Sequence, residues 1–204
     1  MPLDAFDRVL PGARKANKRH ILRCALTCFL EHGLESTTID IIRQRSGASV
    51  GTLYHHFHNK EGLAAALFFT ALDDHRANVW PEIEAAGTTR QVIEALVTRY
   101  MDWVTNEPEL ARFMFLARAS VAAGPYREEL TQRNREQYGV IHRWLAEGQS
   151  QGDIRSLPRE TYASLLLGQA ENYCRAWLAG RVPTPPSEHA MLFAEAAWRV
   201  LSKS

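Results

Sequence analysis

The feature that most constrains this chain lies between residues 19 and 63, where apolar residues at helical spacing are followed by two closely spaced turns. Apolar side chains recur there every three or four residues, which is the period of one face of an α-helix. They predict a first helix from about Lys18 to His32. Gly33 can adopt the left-handed backbone that ends a helix, so we expect the chain to reverse there. The apolar stripe consists of Ile21, Leu22, Ala25, Leu26 and Phe29.

A second helix is predicted directly after this reversal. Thr37 and Thr38 are its candidate N-caps, because a hydroxyl oxygen can accept a hydrogen bond from a backbone N–H that the helix itself leaves without a partner. Ile39 and Ile42 would face inward, and the helix should stop near Ser46.

A third, short helix is predicted after a turn at Gly47, with Ser49 as its cap and an end near His56. Leu53 and Phe57 lie four residues apart, so both can face inward. A helix, a tight glycine turn and a short helix together predict a helix-turn-helix. The residues that would face outward are Val50, Gly51, Thr52, Tyr54 and His55.

The outward residues suit DNA recognition, in which the second helix of such a unit enters the major groove and nearby polar groups hold phosphates. Gly51 allows close approach of the backbone, and the hydroxyls of Thr52 and Tyr54 can donate to phosphate oxygens. His55 is long enough to reach a base edge, and Lys60 can add a phosphate contact.

The same run resembles the DNA-binding domain of the tetracycline-repressor (TetR) family. That family has a Thr-Thr pair, then Gly-x-Ser, then Gly-Thr-Leu-Tyr-x-x-Phe and a Lys-Glu pair. The matching residues here are Thr37-Thr38, Gly47-Ala48-Ser49, Gly51-Thr52-Leu53-Tyr54-His55-His56-Phe57 and Lys60-Glu61. The motif covers the first third of the chain, and the remainder agrees with the family in length and predicted helicity.

The resemblance implies DNA contacts residue by residue. Arg43 departs from the family pattern, which has a small residue in this position of the second helix. Either the helix crossing is adjusted, or the guanidinium turns toward solvent or phosphate. The implied backbone contacts are Thr38, Ser49, Thr52, Tyr54 and Lys60, and the implied residues nearest the bases are Val50, Gly51 and His55.

Charge is concentrated in this part of the chain. The whole protein has a net charge of +1, whereas residues 14–60 carry eight basic against three acidic residues, a net charge of +5. Neutralising phosphates and releasing their counterions supplies much of the affinity for DNA, so this asymmetry favours a DNA-facing end. A solvated helix face is the alternative for the isolated run from Arg14 to Arg19. A basic arm before the first helix could also reach the minor groove, as homeodomain arms do.

Length and composition indicate a folded chain outside the membrane. The protein has 204 residues with 46% hydrophobic content, enough for a substantial core and one or two domains. No stretch approaches the roughly 18 to 20 apolar residues that span a bilayer, and the acidic start lacks the apolar core of a secretory signal. We therefore expect a cytoplasmic protein with no membrane partner.

Metal, cofactor and catalytic sites are not predicted. Three cysteines are an odd number and no disulfide framework. Cys24 and Cys28 lie four residues apart, and small buried side chains are favoured there over a redox or metal role. His55 and His56 point about 100° apart on a helix and do not converge on one ion. No nucleophile with its base, carboxylate pair or ligand spacing is recognisable, so no catalytic residue is expected.

The remainder of the chain is predicted to be helical, because it lacks sustained alternation and Asn-Gly or Asp-Gly hairpin turns. Glycine and proline delimit helices from Asn59 toward Trp80 and over about 88–106, 108–122, 126–150, 159–180 and 187–202. The predicted fold is all-α, with about nine helices. Its expected parts are a flexible N-terminal arm (1–15), a three-helix DNA-binding domain (16–63) and a helical ligand-binding and dimerisation domain (64–204).

The last two helices are apolar on broad faces, which predicts burial. The resemblance implies a homodimer in which these helices of each subunit form a four-helix bundle. Two-fold symmetry would then place two recognition helices about 34 Å apart on successive major-groove turns, which predicts a palindromic operator. The candidate dimerisation residues are Ala163, Leu167, Ala170, Phe193 and Ala197.

Aromatic and polar residues in the middle helices are candidates for a pocket that binds an unidentified small-molecule effector. Plain core packing is the alternative for each. The expected function is a repressor that such an effector releases from DNA. A ligand-independent or activating regulator, a helical enzyme using Glu171 beside His142, and a protein-binding module are the alternatives. The chosen pocket residues are Trp103, Phe113, Tyr138, His142 and Tyr173.

Overall fold

A computed structural model describes residues 3–203, and these residues fold into ten α-helices. Three short 3-10 turns precede α2, α9 and α10. No strand occurs within residues 3–203 apart from one isolated antiparallel bridge between Ile154 and Ser202. The all-α prediction is confirmed. The helices are α1 (Ala5–Val9), α2 (Ala16–Ser36), α3 (Ile39–Ser46), α4 (Val50–Phe57), α5 (Lys60–Ala85), α6 (Thr89–Asn106), α7 (Pro108–Ala123), α8 (Arg127–Gln151), α9 (Tyr162–Leu178) and α10 (Ala190–Leu201).

The N-terminal segment is the first correction to the sequence analysis. Residues 1 and 2 of the predicted flexible arm lie outside the described residues, but residues 3–15 contain α1 and a 3-10 turn. Asp4 caps α1 by accepting the Asp7 N–H at 2.9 Å, and Phe6 is buried. Arg8 donates two hydrogen bonds, of 2.8 and 2.9 Å, to the buried carboxylate of Asp74. A five-residue helix held by distant partners leaves no periodic pattern in the sequence.

The three helices predicted for the DNA-binding domain are α2, α3 and α4, of which α3 and α4 form the helix-turn-helix. Each packs on the next along the chain. The stripe predicted on α2 is buried. Gly33 has φ 81° and interrupts α2 where the sequence predicted the reversal. Positive φ is costly for residues with a Cβ atom, which accounts for glycine at this position.

The later helices begin and end close to their predicted positions, with one clear difference in α5. Pro81 was expected to end this helix, yet the helix continues to Ala85. A proline inside a helix removes one backbone hydrogen bond and usually kinks or ends it. Here the interruption falls in the last turns of a 26-residue helix, where few further hydrogen bonds remain to be lost.

The chain divides into two compact units. The first is drawn from Met1–Asp74 and Glu109–Gln132, and in it Phe113 of α7 packs against Phe29 of α2 with ring centroids 5.5 Å apart. The second is drawn from His75–Pro108 and Arg133–Ser204, and in it α6 packs against both α9 and α10. The boundary predicted after residue 63 stays a prediction. Within residues 3–203, no helix is both long and apolar enough to cross a bilayer.

Candidate DNA interface

The Thr-Thr pair before α3 divides into a buried and an exposed residue. Thr37 is fully buried, and its hydroxyl contacts the carbonyl oxygens of Cys28 and Gly33 at 3.1 and 2.7 Å. Thr38 is exposed and caps α3, where its hydroxyl oxygen accepts the Ile41 N–H at 3.3 Å. The first threonine therefore fixes the connection from α2, whereas the second leaves a surface hydroxyl at the start of α3.

The turn between α3 and α4 has the geometry that its sequence predicts. Gly47 adopts a left-handed conformation, with φ 65° and ψ 7°. Ser49 caps α4 by accepting the Thr52 N–H at 3.1 Å, and the hydroxyl oxygens of these two residues lie 2.8 Å apart. In such a pair one hydroxyl donates to the other, so one hydroxyl proton is left for an outside acceptor. The predicted caps Thr38 and Ser49 are both confirmed as caps.

Helix α4 has one buried and one exposed face, as predicted. Leu53 and Phe57 are buried. Val50 is 49% exposed and Tyr54 is 53% exposed. Large apolar and aromatic side chains exposed together on a short, capped helix are typical of a recognition surface rather than of a solvated one. We call Val50, Gly51, Tyr54 and His55 the outer face of α4, because all four are exposed.

Gly51 leaves open space on this outer face. A methyl group added there would meet only the Ser49 hydroxyl, at 3.9 Å. Glycine is therefore not required by packing within the chain. An approaching surface can instead come within reach of the backbone of α4 at this position.

Lys60 has a different environment from the one the sequence suggested. Its ammonium group donates to the carbonyl oxygens of Leu34 and Glu35, both at 3.0 Å. A lysine in this position neutralises the partial negative charge at the end of α2. Sequence reasoning missed this structural role, although lysine side chains are known to donate to the last carbonyl oxygens of a helix, which have no partner within the helix. A phosphate contact by Lys60 stays a prediction.

Four of the eight basic residues counted along residues 14–60 form ion pairs with carboxylates. The Arg43 guanidinium lies 3.1 Å from Asp40 of the same helix, which answers the question raised by its departure from the family pattern. It turns toward a surface carboxylate. Arg45 pairs with Glu31 of α2 at 2.5 Å, and this hydrogen bond lowers the pKa of the Glu31 carboxyl.

Two histidines at the end of α4 contact each other, with ring centroids 5.1 Å apart for His55 and His56. Partial burial lowers the pKa of His56, and the charges of His55 and Lys18 lower it further. His56 is thus biased toward its neutral form near neutral pH. Within residues 3–203, no group of three His, Cys, Asp or Glu side chains is arranged to hold a metal ion.

The five residues chosen for an effector pocket belong to both compact units. Phe113 belongs to the first compact unit, where it is fully buried and packs against Phe29 of α2. Trp103 is also buried. Tyr138 and His142 are one helical turn apart, with ring centroids 6.5 Å apart. The ligand role of these residues stays a prediction.

Tyr173 lies on α9 and is held by the loop that precedes α10. Its hydroxyl donates to the Thr184 carbonyl oxygen at 3.0 Å, and its ring lies 5.3 Å from that of Phe193. These contacts connect α9 with α10 and explain the residue without a ligand. An effector contact by Tyr173 likewise stays a prediction.

The predicted dimerisation residues divide into buried and exposed ones. Ala170 is 1% and Ala197 is 3% exposed, so both side chains are already covered by their own chain. These two residues are corrected to core positions, because a partner subunit would find almost no surface there. Ala163 is exposed, and Leu167 and Phe193 are partly exposed.

The exposed face of α10 includes two residues that the sequence analysis did not select for dimerisation. Met191 is 62% and its neighbour Leu192 is 67% exposed. Two adjacent large apolar side chains at such exposure are uncommon on a monomer surface. The apolar faces of α9 and α10 were visible in the sequence, but only the fold shows which side each helix buries.

Known proteins are similar to this chain in sequence and in fold. The profile of the "Bacterial regulatory proteins, tetR family" matches residues 21–67, which contain α3 and α4. The HTH-type transcriptional repressor KstR2 of Rhodococcus jostii is 31% identical over 148 residues, which cover 70% of this chain and 72% of that protein.

Solved structures extend the likeness over the whole fold. A TetR family transcription regulator from Marinobacter aquaeolei VT8 has a TM-score of 0.80 at 19% identity, covering 94% of this chain and 98% of that chain. FadR of Bacillus subtilis, solved in complex with stearoyl-CoA, has a TM-score of 0.73 at 16% identity, covering 88% and 97%. With the capped helix-turn-helix and the match to KstR2 over more than two thirds of its length, this chain belongs to the tetR family of bacterial regulatory proteins.

Proposed function

We propose that this protein is a homodimeric transcriptional repressor that binds a palindromic operator through α4 and leaves it when a small molecule binds. The observation that carries the proposal is the outer face of α4, where Val50 and Tyr54 are about half exposed on a helix capped at Ser49. Steric occlusion of a promoter needs no catalytic group. The repressor name of its KstR2 relative supports the same direction of regulation.

Base recognition is assigned to the outer face of α4. Val50 offers an apolar contact to a thymine methyl group, and the open backbone at Gly51 permits close approach to the base edges. His55 can exchange hydrogen bonds with a purine edge. These three residues set sequence preference.

Phosphate contacts are assigned to residues around this face. The free hydroxyl proton of the Ser49–Thr52 pair and the Tyr54 phenol can donate to phosphate oxygens. Thr38 and Lys60 complete the set. The Lys60 ammonium group has three protons and donates two of them to carbonyl oxygens, so the third can be donated to a phosphate. Such contacts fix the register of the protein on DNA and carry no sequence information directly.

Dimerisation is assigned to the exposed apolar residues of α9 and α10. Met191 and Leu192 would be covered by a second copy, together with Ala163, Leu167 and Phe193. Burial of apolar surface drives such association. Leu192→Glu should therefore shift the protein toward monomer in sedimentation velocity. A variant that sediments like the wild type would remove α10 from the interface.

Effector control is assigned to the predicted domain of residues 64–204. A ligand can weaken DNA binding only as far as it prefers the conformation that binds DNA poorly. Stearoyl-CoA is the first probe to test, because FadR of the same fold was solved in complex with it. CoA thioesters of other chain lengths complete the panel.

The proposal is tested by mobility shift on DNA from upstream of the protein's own gene. We expect a specific complex that a non-specific duplex does not displace. Tyr54→Phe should weaken binding by about tenfold or more on every sequence, since it removes one hydrogen bond to a charged acceptor. His55→Ala should instead change the preference at particular base pairs.

Two outcomes would contradict parts of the proposal. Unchanged affinity in both variants would remove the outer face of α4 from the DNA interface. DNA binding that no member of the panel weakens would contradict release by these ligand classes, while base recognition would stand. Transcription from the same promoter in vitro distinguishes the repressor from an activator with the same DNA-binding helices.

A further inference from the structure

Most basic side chains around the helix-turn-helix already have a partner within the chain. A paired arginine contributes less to phosphate binding, because its charge is partly neutralised before DNA arrives. Lys60 is similarly engaged by two carbonyl oxygens. The pairs are Arg8–Asp74, Arg19–Asp7, Arg23–Asp4, Arg43–Asp40 and Arg45–Glu31.

Three basic residues just before and within the first turn of α2 are different. Arg14 and Lys15 are exposed on the 3-10 turn Ala13–Lys15, and Lys18 follows three residues later. The structure pairs none of these three side chains with a carboxylate of residues 3–203. We call Arg14, Lys15 and Lys18 the basic turn. It carries three positive charges within five residues.

The backbone of the basic turn is held in place. The Arg19 guanidinium donates to the carbonyl oxygens of Leu10 and Gly12, at 2.7 and 2.8 Å, and also pairs with Asp7 of α1. Gly12 has φ 91°, a conformation that few other residues adopt without strain. The turn is therefore preorganised, and DNA binding would order little more than the three side chains.

The basic turn adjoins the ends of α3 and α4. The Lys18 ammonium lies 5.8 Å from the ring centroid of Phe57, the last residue of α4. His20, in the same turn of α2, places its Nε2 atom 3.1 Å from the Ser46 carbonyl oxygen. The major groove is about 12 Å wide, so phosphates line both sides of a helix inserted in it.

We propose that the basic turn is a second DNA contact of this protein, in which Arg14, Lys15 and Lys18 bind phosphates beside the groove that α4 enters. The inference deepens the proposed function, since it rests on the insertion of α4. It differs from a minor-groove arm, because residues 13–15 form a fixed 3-10 turn rather than an extended strand. Its contribution is electrostatic and independent of sequence.

The test measures the salt dependence of operator binding by fluorescence anisotropy. The variant Arg14→Gln/Lys15→Gln/Lys18→Gln is compared with Arg143→Gln/Arg181→Gln/Lys203→Gln, which removes the same charge from exposed residues of the second unit. Each lost phosphate contact lowers the slope of log K against log salt by about 0.9. For each bound copy we expect the basic-turn variant to lose about 2.7 in slope, and the control variant to stay close to the wild type.

The outcomes separate this inference from the proposed function. A wild-type protein that forms no complex with any duplex would overturn both. A wild-type complex with a basic-turn variant that matches the control would overturn only the inference. The inference would also be overturned if the basic-turn variant showed a changed preference for A·T pairs while its salt slope matched the wild type. That result would indicate insertion into the minor groove instead of phosphate binding. Urea unfolding of both variants verifies that the turn still folds, and each single substitution apportions the slope if the triple variant is destabilised.

Discussion

Substitution of Gly62 tests how closely α4 is held against α5. A methyl group at Gly62 would lie 2.0 Å from the Phe57 carbonyl oxygen and 2.6 Å from the Tyr126 hydroxyl. Cβ atoms in proteins essentially never come within 3.0 Å of another heavy atom, so the first contact is too close by at least 1 Å. The Phe57 carbonyl is backbone at the end of α4 and cannot swing aside as a side chain would.

The expected change in stability follows from two opposing effects. Replacing glycine by alanine inside a helix normally stabilises by about 1 kcal/mol. Overpacking against backbone costs about 3 kcal/mol when neighbours must shift. The net expectation for Gly62→Ala is a loss of about 2 kcal/mol in the free energy of unfolding, or about 4 to 8 °C in Tm for a chain of this length.

Gly139→Ala is the matched control. Gly139 also lies inside a helix, α8, and a methyl group there meets nothing within 4 Å. This variant should gain about 1 kcal/mol. Urea unfolding followed by circular dichroism at equal protein concentration measures both. If Gly62→Ala were as stable as the wild type or more stable, the close packing of α4 on α5 would be refuted.

Three further perturbations test capping, buried charge and titration. Ser49→Ala removes the N-cap of α4 and should lower the free energy of unfolding in urea by about 1 kcal/mol. An unchanged free energy of unfolding would show that the cap does not stabilise the protein. Asp74→Asn removes the carboxylate charge that pairs with Arg8. Because Asp74 is buried and Arg8 is partly exposed, we expect a loss of about 2 kcal/mol in the free energy of unfolding. An unchanged unfolding midpoint would argue against the pair. Burial and the Arg159 charge lower the pKa of His142. The unfolded chain therefore binds more protons than the folded one, so stability falls as the pH drops through about 6.5. His142→Gln should reduce this fall between about pH 7 and 5. A variant with the same pH profile of stability as the wild type would contradict the prediction.

The features predicted well from sequence are those that depend on residues close together in the chain. The Thr38 and Ser49 caps, the turn at Gly47 and the inward side of α4 all follow from side chains within four residues of each other. Capping and amphipathic periodicity act over the same short range, so they can be derived without knowing the fold.

The features missed are those that need a distant partner. The carbonyl partners of Lys60 belong to residues 25 and 26 positions earlier in the chain, and α1 is anchored by Arg8 to a carboxylate 66 residues away. Ala170 and Ala197 were assigned to the wrong side of otherwise correctly predicted helices, because an apolar face does not reveal whether the same chain or a second copy covers it. The packing of Phe113 against Phe29 of α2 likewise depends on a partner far away in the chain.

The central claim is that α4 reads DNA from the major groove. Dimethyl sulfate tests it directly, because the reagent methylates guanine N7 in the major groove and adenine N3 in the minor groove. On the operator we expect two clusters of protected guanine N7 atoms about one helical turn apart, one for each copy of α4. A bound protein that protects only adenine N3, or leaves every guanine N7 reactive, would contradict the account.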